Sequence, residues 1–441
     1  MKTASMLITR SAILLALFLA ATGCEAPSSA DVAGNASRTL APASPEDVGM
    51  SSERLARLHD AMQELVDDDR LAGITTMIAR HGHLVDFQTY GYRDMEEDDA
   101  MAEDAIFRIY SMSKPITGVA LMMLFEEGKF RLNDPVRRYI PEIGNMKVAA
   151  SWGPDGPVLE DADHAMTIRE LMTHTSGLAY GIGDPHPADR LYASTGVLDP
   201  RGTLKDMIDK LAGLPLRQQP GSQWSYSIAV DVQGYLVEVL SGQPFDAFLR
   251  ERIFEPLGMV DTGFHVPSEN HGRLAQVYGY DREGALVAPP APDPADGPRA
   301  FLDPATFFSG GGGLVSTTKD YMRFCQMLLN GGELDGVRLL SPTTVDMMRT
   351  NHLPRNLGEY APGMGFGLDF SVVLDAMAAG SGSVGEYSWG GAAGTWFWID
   401  PVQDLAFVGM IQQFGGGRPD VRNLSRHLTY AAITESAATR K

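Results

Sequence analysis

The two stretches of this 441-residue chain that read most clearly as β-strands lie near its opposite ends. GITTMIARHGHLVDFQTYGY at 73–92 holds two β-rich runs around the turn His81-Gly82-His83. AAGTWFWID, a DPVQD turn and LAFVGMIQQF at 392–414 form a second pair of runs. An isolated two-stranded hairpin is marginal in water, because its backbone groups and its apolar face need further partners. The two ends are therefore expected to build one antiparallel sheet, with the chain between them inserted as a second, mostly helical lobe. The fold class is α+β, an α/β sandwich of sheet flanked by helices. The sheet lobe is expected over roughly 47–110 and 300–436 and the helical lobe over roughly 111–299. No βαβ period carries a GxGxxG turn, which argues against a dinucleotide-binding fold.

Helical periodicity fills the rest. Leu55, Leu58, Met62 and Leu65 recur at helical spacing behind Ser51 and Ser52 as N-caps. MSKPITGVALMMLF at 112–125 is strongly helical and ends at Gly128. Pro115 is tolerated only in a first turn, so this helix starts at Ser111 or Met112. Residues 228–240 carry apolar positions at 228, 232, 235, 236 and 239, and a last helix carries them at 421, 424, 428 and 432. The 47 Gly and 27 Pro belong to the loops between these elements.

The N-terminus reads as an export signal, residues 1–23. Lys2 and Arg10 precede the apolar run 12–21, then Thr22, Gly23 and Cys24. That run is too short to span a ~30 Å hydrocarbon layer. ATGC resembles the bacterial lipoprotein box, which implies lipid attachment at Cys24, association with a membrane and a place in the bacterial cell envelope; plain secretion is the alternative. Residues 24–46, rich in small polar residues, Pro and Ala, read as a flexible tether, and 47–436 as the folded domain. The net charge of −20 leaves no excess of basic residues for a nucleic-acid partner. Two cysteines are too few for a disulfide framework or a cysteine metal site, and no metal or cofactor is expected.

Chemistry concentrates in three places. Ser111-Met112-Ser113-Lys114 stands at a helix start, where positions i and i+3 share a face and backbone N–H groups favour negative charge. A serine hydroxyl needs a base, and lysine can serve as one when burial or a cation lowers its pKa. Trp224-Ser225-Tyr226-Ser227 places a tyrosine before a helix. Trp389-Gly390-Gly391-Ala392-Ala393-Gly394 opens the last strand pair with residues small enough for a ligand to approach the backbone.

These elements, in this order, resemble the serine β-lactamase and penicillin-binding protein superfamily, most closely its class C-like esterases (family VIII carboxylesterases). THTSGL at 173–178, EPLGMVDTGF at 255–264 and GGGGLVSTTKD at 310–320 carry the same resemblance over nearly all of 47–436. It implies a β-lactamase/transpeptidase-like fold, Ser111 as nucleophile, Lys114 as its base and Tyr226 as the group that moves a proton to the leaving group. It also implies an oxyanion hole from the backbone N–H groups of Ser111 and Ala392, each such donor contributing ~3 kcal/mol. Class C β-lactamases carry Tyr-x-Asn and Lys-Thr-Gly or His-Thr-Gly, whereas this chain has Ile228 and Trp389-Gly390-Gly391. Those four residues are expected to line a substrate pocket suited to uncharged esters rather than β-lactams. Ester hydrolysis by a carboxylesterase is the leading expectation. A β-lactamase, D-amino-acid peptidase or cell-wall amidohydrolase on the same scaffold is the alternative. A catalytically silent muropeptide- or protein-binding homologue is the alternative of another class.

Other conspicuous residues have structural readings. His81 and His83 flank a turn glycine and have no third metal ligand at fitting spacing. His174 belongs to a turn, and no G-x-S-x-G elbow offers it a serine. Gly310–Gly313 lack a following GK[ST] and let backbone pass near the site wall. Cys325 falls on the apolar side of a helix, and Trp396 and Trp398 share one strand face as core residues.

Overall fold

Each terminal hairpin does find the other. The computed structural model describes residues 39–183, 185–289, 300–380 and 382–437. The export signal, Cys24 and most of the tether expected from the sequence lie outside those residues. The main sheet contains β1 (Ala41–Pro42), β2 (Gly73–Arg80), β3 (His83–Asp94), β4 (Met364–Phe366), β5 (Ser371–Val373), β6 (Tyr387–Gly390), β7 (Trp396–Asp400) and β8 (Leu405–Met410). Their order is β1-β3-β2-β8-β7-β6-β5-β4, with Asp99–Ala100 added beside β3. The β2–β8 pairing, Met77 opposite Val408, joins the two ends of the chain. All pairs on this path are antiparallel except β1 with β3. Because β1 falls inside the segment read as a tether, the fold begins earlier than expected: Leu40 and Ala43 N–H groups donate to the Gly82 and Leu84 carbonyls.

Five helices matter for the site: α1 (Ser52–Asp67), α2 (Ser113–Glu126), α3 (Ala229–Ser241), α4 (Thr318–Leu329) and α5 (Val421–Ala431). Strand alternation sorts the core into two layers. Ile74, Ile78, Trp396, Trp398 and Phe407 cluster with α1 through Leu55, Leu58, Met62 and Leu65. Met77, Ala79, Phe397, Ile399, Ala406 and Val408 belong to the larger core that holds α2, α3 and α4. Trp398 stacks on Phe407 at 4.0 Å between ring centroids and 7° between planes, a geometry that adds ~0.5–1.5 kcal/mol to area burial. Trp396 Nε1 donates to Ser425 Oγ of α5 at 3.2 Å.

Helix α2 is hydrophobic all round rather than amphipathic, and every residue from Ser113 to Leu124 is buried. It packs along α3 at the centre of the molecule. A hairpin of Val148–Gly153 with Gly156–Glu160 projects from the mostly helical middle, where the sequence pattern suggested only helices and loops. At the end of β2, the fully buried Arg80 donates to the carbonyls of Val48, Gly49, Gln403 and Glu435. One side chain thus fastens both ends of the domain to the sheet.

Candidate active site

Ser111 sits in the middle of a single 3₁₀ turn, Tyr110–Met112, that leads into α2. Tyr110 has φ +42°, a left-handed conformation that costs a non-glycine residue ~1–3 kcal/mol. Edge contacts from Phe301 and Phe414, each at 5.4 Å, hold it there and fix the direction in which Ser111 leaves the turn. Lys114, one turn on, is completely buried. Its Nζ donates to Ser111 Oγ at 3.2 Å, Tyr180 OH at 3.2 Å and the Gly311 carbonyl at 2.6 Å. An ammonium has three N–H groups, and each has an acceptor. Tyr226 OH donates to Ser111 Oγ at 2.7 Å. Lys114 Nζ lies 4.6 Å from the Tyr226 ring centre.

The electrostatics correct one expectation. Burial does push the Lys114 ammonium down, as the sequence suggested, but Tyr180, Tyr226 and Asp231 outweigh it. Lys114 is held above the ordinary lysine range and is a cation in the resting site. Burial pushes the Tyr180 phenol up to about 12 even against the pull of Lys114. The nitrogen beside Ser111 therefore supplies positive charge, and the Tyr226 hydroxyl is the other group in hydrogen-bond contact with the serine oxygen.

The Trp389–Gly394 segment lies against Ser111 for steric reasons that can be named. A Cβ on Gly391 would stand 2.4 Å from the carbonyl oxygen of Ile109, two residues before the serine. A Cβ on Gly390 would stand 2.2 Å from the guanidinium of Arg422 in α5. The turn is closed by Gly391 N–H to Thr395 O at 2.7 Å and Gly394 N–H to Gly391 O at 3.0 Å. Arg418 fixes it from outside, donating to the Ala392 carbonyl at 3.1 Å.

Two cavities meet at Ser111, Tyr226 and Ala392. One, of 430 Å³, has an apolar wall that includes Ile182, Leu198, Phe264, Phe301 and Phe307. The other, of 460 Å³, is lined by Trp389, Gly390, Gly391 and Tyr360 together with Glu386, Arg422 and Arg426. The structure therefore brings together Ser111, Lys114, Tyr226, Ala392 and the Trp389–Gly391 strand. It does not bring Ile228 into either wall. Ile228 precedes α3, is fully buried and belongs to the main core, because its backbone N–H is turned to the Ala179 carbonyl at 3.1 Å.

His174 is buried at φ +55° and spends Nδ1 on Ser227, accepting its N–H at 3.2 Å. Burial and then the Lys114 charge push its pKa well down, so it is a neutral ring packed 4.8 Å from Tyr226. The glycines at 310–313 bring backbone to the site: the Gly311 carbonyl takes Lys114, and the Gly310 carbonyl accepts from Thr117 Oγ1 at 2.8 Å. Cys325 is buried, and burial pushes its thiol well up, out of reactive range. His81, at φ +52°, turns the β2–β3 hairpin and pairs with Asp404 at 2.9 Å. Sequence reasoning missed Tyr180, Asp231, Arg418 and Arg422. Only Tyr180 had a nearby signal, the 173–178 phrase that ends two residues before it.

The Beta-lactamase family model matches residues 58–431. The chain belongs to that family. Among its β-lactamase-family relatives, Esterase EstB of Burkholderia gladioli is 33% identical over 369 residues, covering 80% of this chain and 89% of EstB. An uncharacterized protein of Mycobacterium tuberculosis is 39% identical over 370 residues, covering 80% of this chain and 88% of its own length. The solved structure of EstCE1, a hydrolase with promiscuous acyltransferase activity, superposes with a TM-score of 0.73 at 28% identity, covering 86% of this chain and 98% of that one. The β-lactamase/transpeptidase-like architecture is also that of a penicillin-binding protein homologue from Pyrococcus abyssi, with a TM-score of 0.63 over 86% of this chain and 77% of that one at 21% identity. The chain is thus a serine-hydrolase-superfamily protein with esterase and acyltransferase relatives.

Proposed function

We propose that this protein is a carboxylesterase that cleaves esters through an acyl-enzyme on Ser111. The observation that carries this reading is the Ser111 hydroxyl held by Tyr226 at 2.7 Å and Lys114 at 3.2 Å where an apolar and a polar cavity meet. An uncharged acyl chain fits the apolar side and the alcohol the polar side, with the ester carbonyl at the junction. The Lys114–Tyr226 unit shares one proton. The pair gives up one proton before reaction, and in that form it takes the proton from Ser111 Oγ, which Tyr226 and Lys114 both touch, as the serine attacks. The resulting oxyanion is received by the backbone N–H groups of Ser111 and Ala392. Collapse breaks the bond to the alcohol oxygen, which takes the proton back from Tyr226. Water then repeats the sequence on the acyl-enzyme, releasing the acid and restoring the serine.

A second reading, transfer of the acyl group to another alcohol, is favoured by the second chamber. An acceptor there would face the same carbonyl as water, and the similarity to EstCE1 agrees with it. Export and lipid attachment at Cys24, expected from the N-terminal sequence, belong to the proposal and are tested by membrane fractionation of the Cys24→Ala protein. The activity is tested by offering short p-nitrophenyl esters, nitrocefin and a D-Ala-D-Ala peptide to the wild-type and Ser111→Ala proteins. Ester turnover that disappears in the variant, with an acyl adduct on Ser111 by intact mass, is the expected result. Faster turnover of nitrocefin or the peptide would replace the esterase by an amide hydrolase, and no turnover or adduct would leave a binding protein.

A further inference from the structure

Lys114 is the only lysine of α2, and the groups that surround it come from five separate segments. Ser111 is on its own turn, Tyr180 follows the 173–178 phrase, Tyr226 precedes α3, and His174 and Asp369 lie close enough to feel its charge. The remaining group is Asp231, on the first turn of α3 and 1% exposed. Its Oδ1 accepts from Ser309 Oγ at 2.5 Å and from Gly311 N–H at 3.1 Å. Its Oδ2 is buried with no hydrogen-bond partner among the described residues. The same Gly311 gives its carbonyl to Lys114 at 2.6 Å, so one glycine stands between the carboxylate and the ammonium. The strand of glycines is seated there sterically: a Cβ on Gly311 would come within 2.5 Å of Asp231 Oδ2, and one on Gly310 within 2.6 Å of the Val230 carbonyl.

An unpaired carboxylate oxygen in the core is costly unless its charge is used. Replacing Asp231 by an apolar residue would relieve that cost but free the Ser309–Gly311 strand. We propose that Asp231 is a positioning residue for Lys114: it ties down the backbone whose carbonyl steers Nζ onto Ser111, and it is the buried counter-charge that keeps that nitrogen an ammonium. This rests on the serine-esterase reading above. The direction of the Lys114 shift, raised in part by Asp231, agrees with it. So does the placement of the carboxylate at a helix N-terminus, where backbone N–H groups stabilise negative charge.

Asp231→Asn keeps the shape and the Oδ1 acceptor and removes only the charge. With a short p-nitrophenyl ester, kcat is expected to fall between about tenfold and about a hundredfold while KM stays within about twofold. The alkaline limb of the kcat profile is expected to move to lower pH, because Lys114 loses its proton more easily without the counter-charge. Purely structural damage would lower the folded fraction and leave that limb in place. Ser309→Ala keeps the charge but loosens the strand, so it is expected to lower kcat several-fold with the limb unmoved. An Asp231→Asn protein with wild-type kcat and limb overturns the proposal; should that variant fail to fold, wild-type kcat in Ser309→Ala overturns it instead. Ester turnover that survives Ser111→Ala would sink the esterase reading itself, whatever Asp231 does.

Discussion

Among the described residues two cationic side chains are fully buried, and their surroundings differ in kind. Arg80 donates to the backbone carbonyls of Val48, Gly49, Gln403 and Glu435. None of these can take or give a proton, and all are fixed by the main chain. Lys114 has a single carbonyl and, beside it, a serine hydroxyl and a phenol, with a second phenol under its ring-facing side. Burial of a charge therefore does not by itself mark a reaction centre. What separates the two regions is the cation itself: Arg80 cannot lose its proton, whereas Lys114 can and faces hydroxyls that exchange one.

That contrast can be broken experimentally. Lys114→Met should lower ester turnover by more than about a thousandfold, since it removes one half of the proton-sharing unit. Its thermal stability should fall only modestly, because Asp231, whose pKa burial already raises, can take up a proton when its counter-charge is gone. Arg80→Met should do the reverse, losing about 3–5 kcal/mol of stability as the buried carbonyls are left without donors. The kcat of its folded fraction, from active-site titration, should match the wild type; a stable Arg80→Met protein would remove the distinction. Gly391→Ala should cost roughly tenfold to a hundredfold in kcat, because its Cβ meets the Ile109 backbone, which cannot move without moving Ser111. Gly390→Ala meets only the end of the Arg422 side chain and should cost less. The smallest effect sharpens the rest: thiol labelling of Cys325, measured by mass at that residue, should be slow in Lys114→Met and faster in Arg80→Met, since only unfolding exposes it.

The same contrast explains what could be read from the sequence. Ser111 and Lys114 are one helical turn apart, so local spacing carried that pair, whereas the roles of Tyr226 and Trp389–Gly394 came from short motifs that resemble the family's. The terminal hairpins were legible from alternation and turn residues, and so was the sheet they share. Tyr180, Asp231, Arg418 and Arg422 reach the site only through tertiary contacts, which leave no local period. Ile228 was misplaced for a related reason: its helix was legible, but the direction of the residue just before the first turn was not. The pKa of Lys114 went the other way from expectation because burial was visible in the apolar sequence around it, whereas the phenols and carboxylate facing it were not. The parallel strand at Ala41–Pro42 was hidden by its composition, since two residues pairing with His83 and Leu84 need no apolar pattern.

The sheet described above also sets an order of events during synthesis. Ser111, Lys114 and Tyr226 leave the ribosome well before Ala392, and β8, the neighbour that β2 needs, comes later still. Arg80 waits longest, because one of its acceptors is Glu435. The nascent protein therefore carries its proposed nucleophile without the proposed oxyanion turn until Ala392 has been made. The proposed reactivity is switched on only when that turn and the strands after it have joined the sheet.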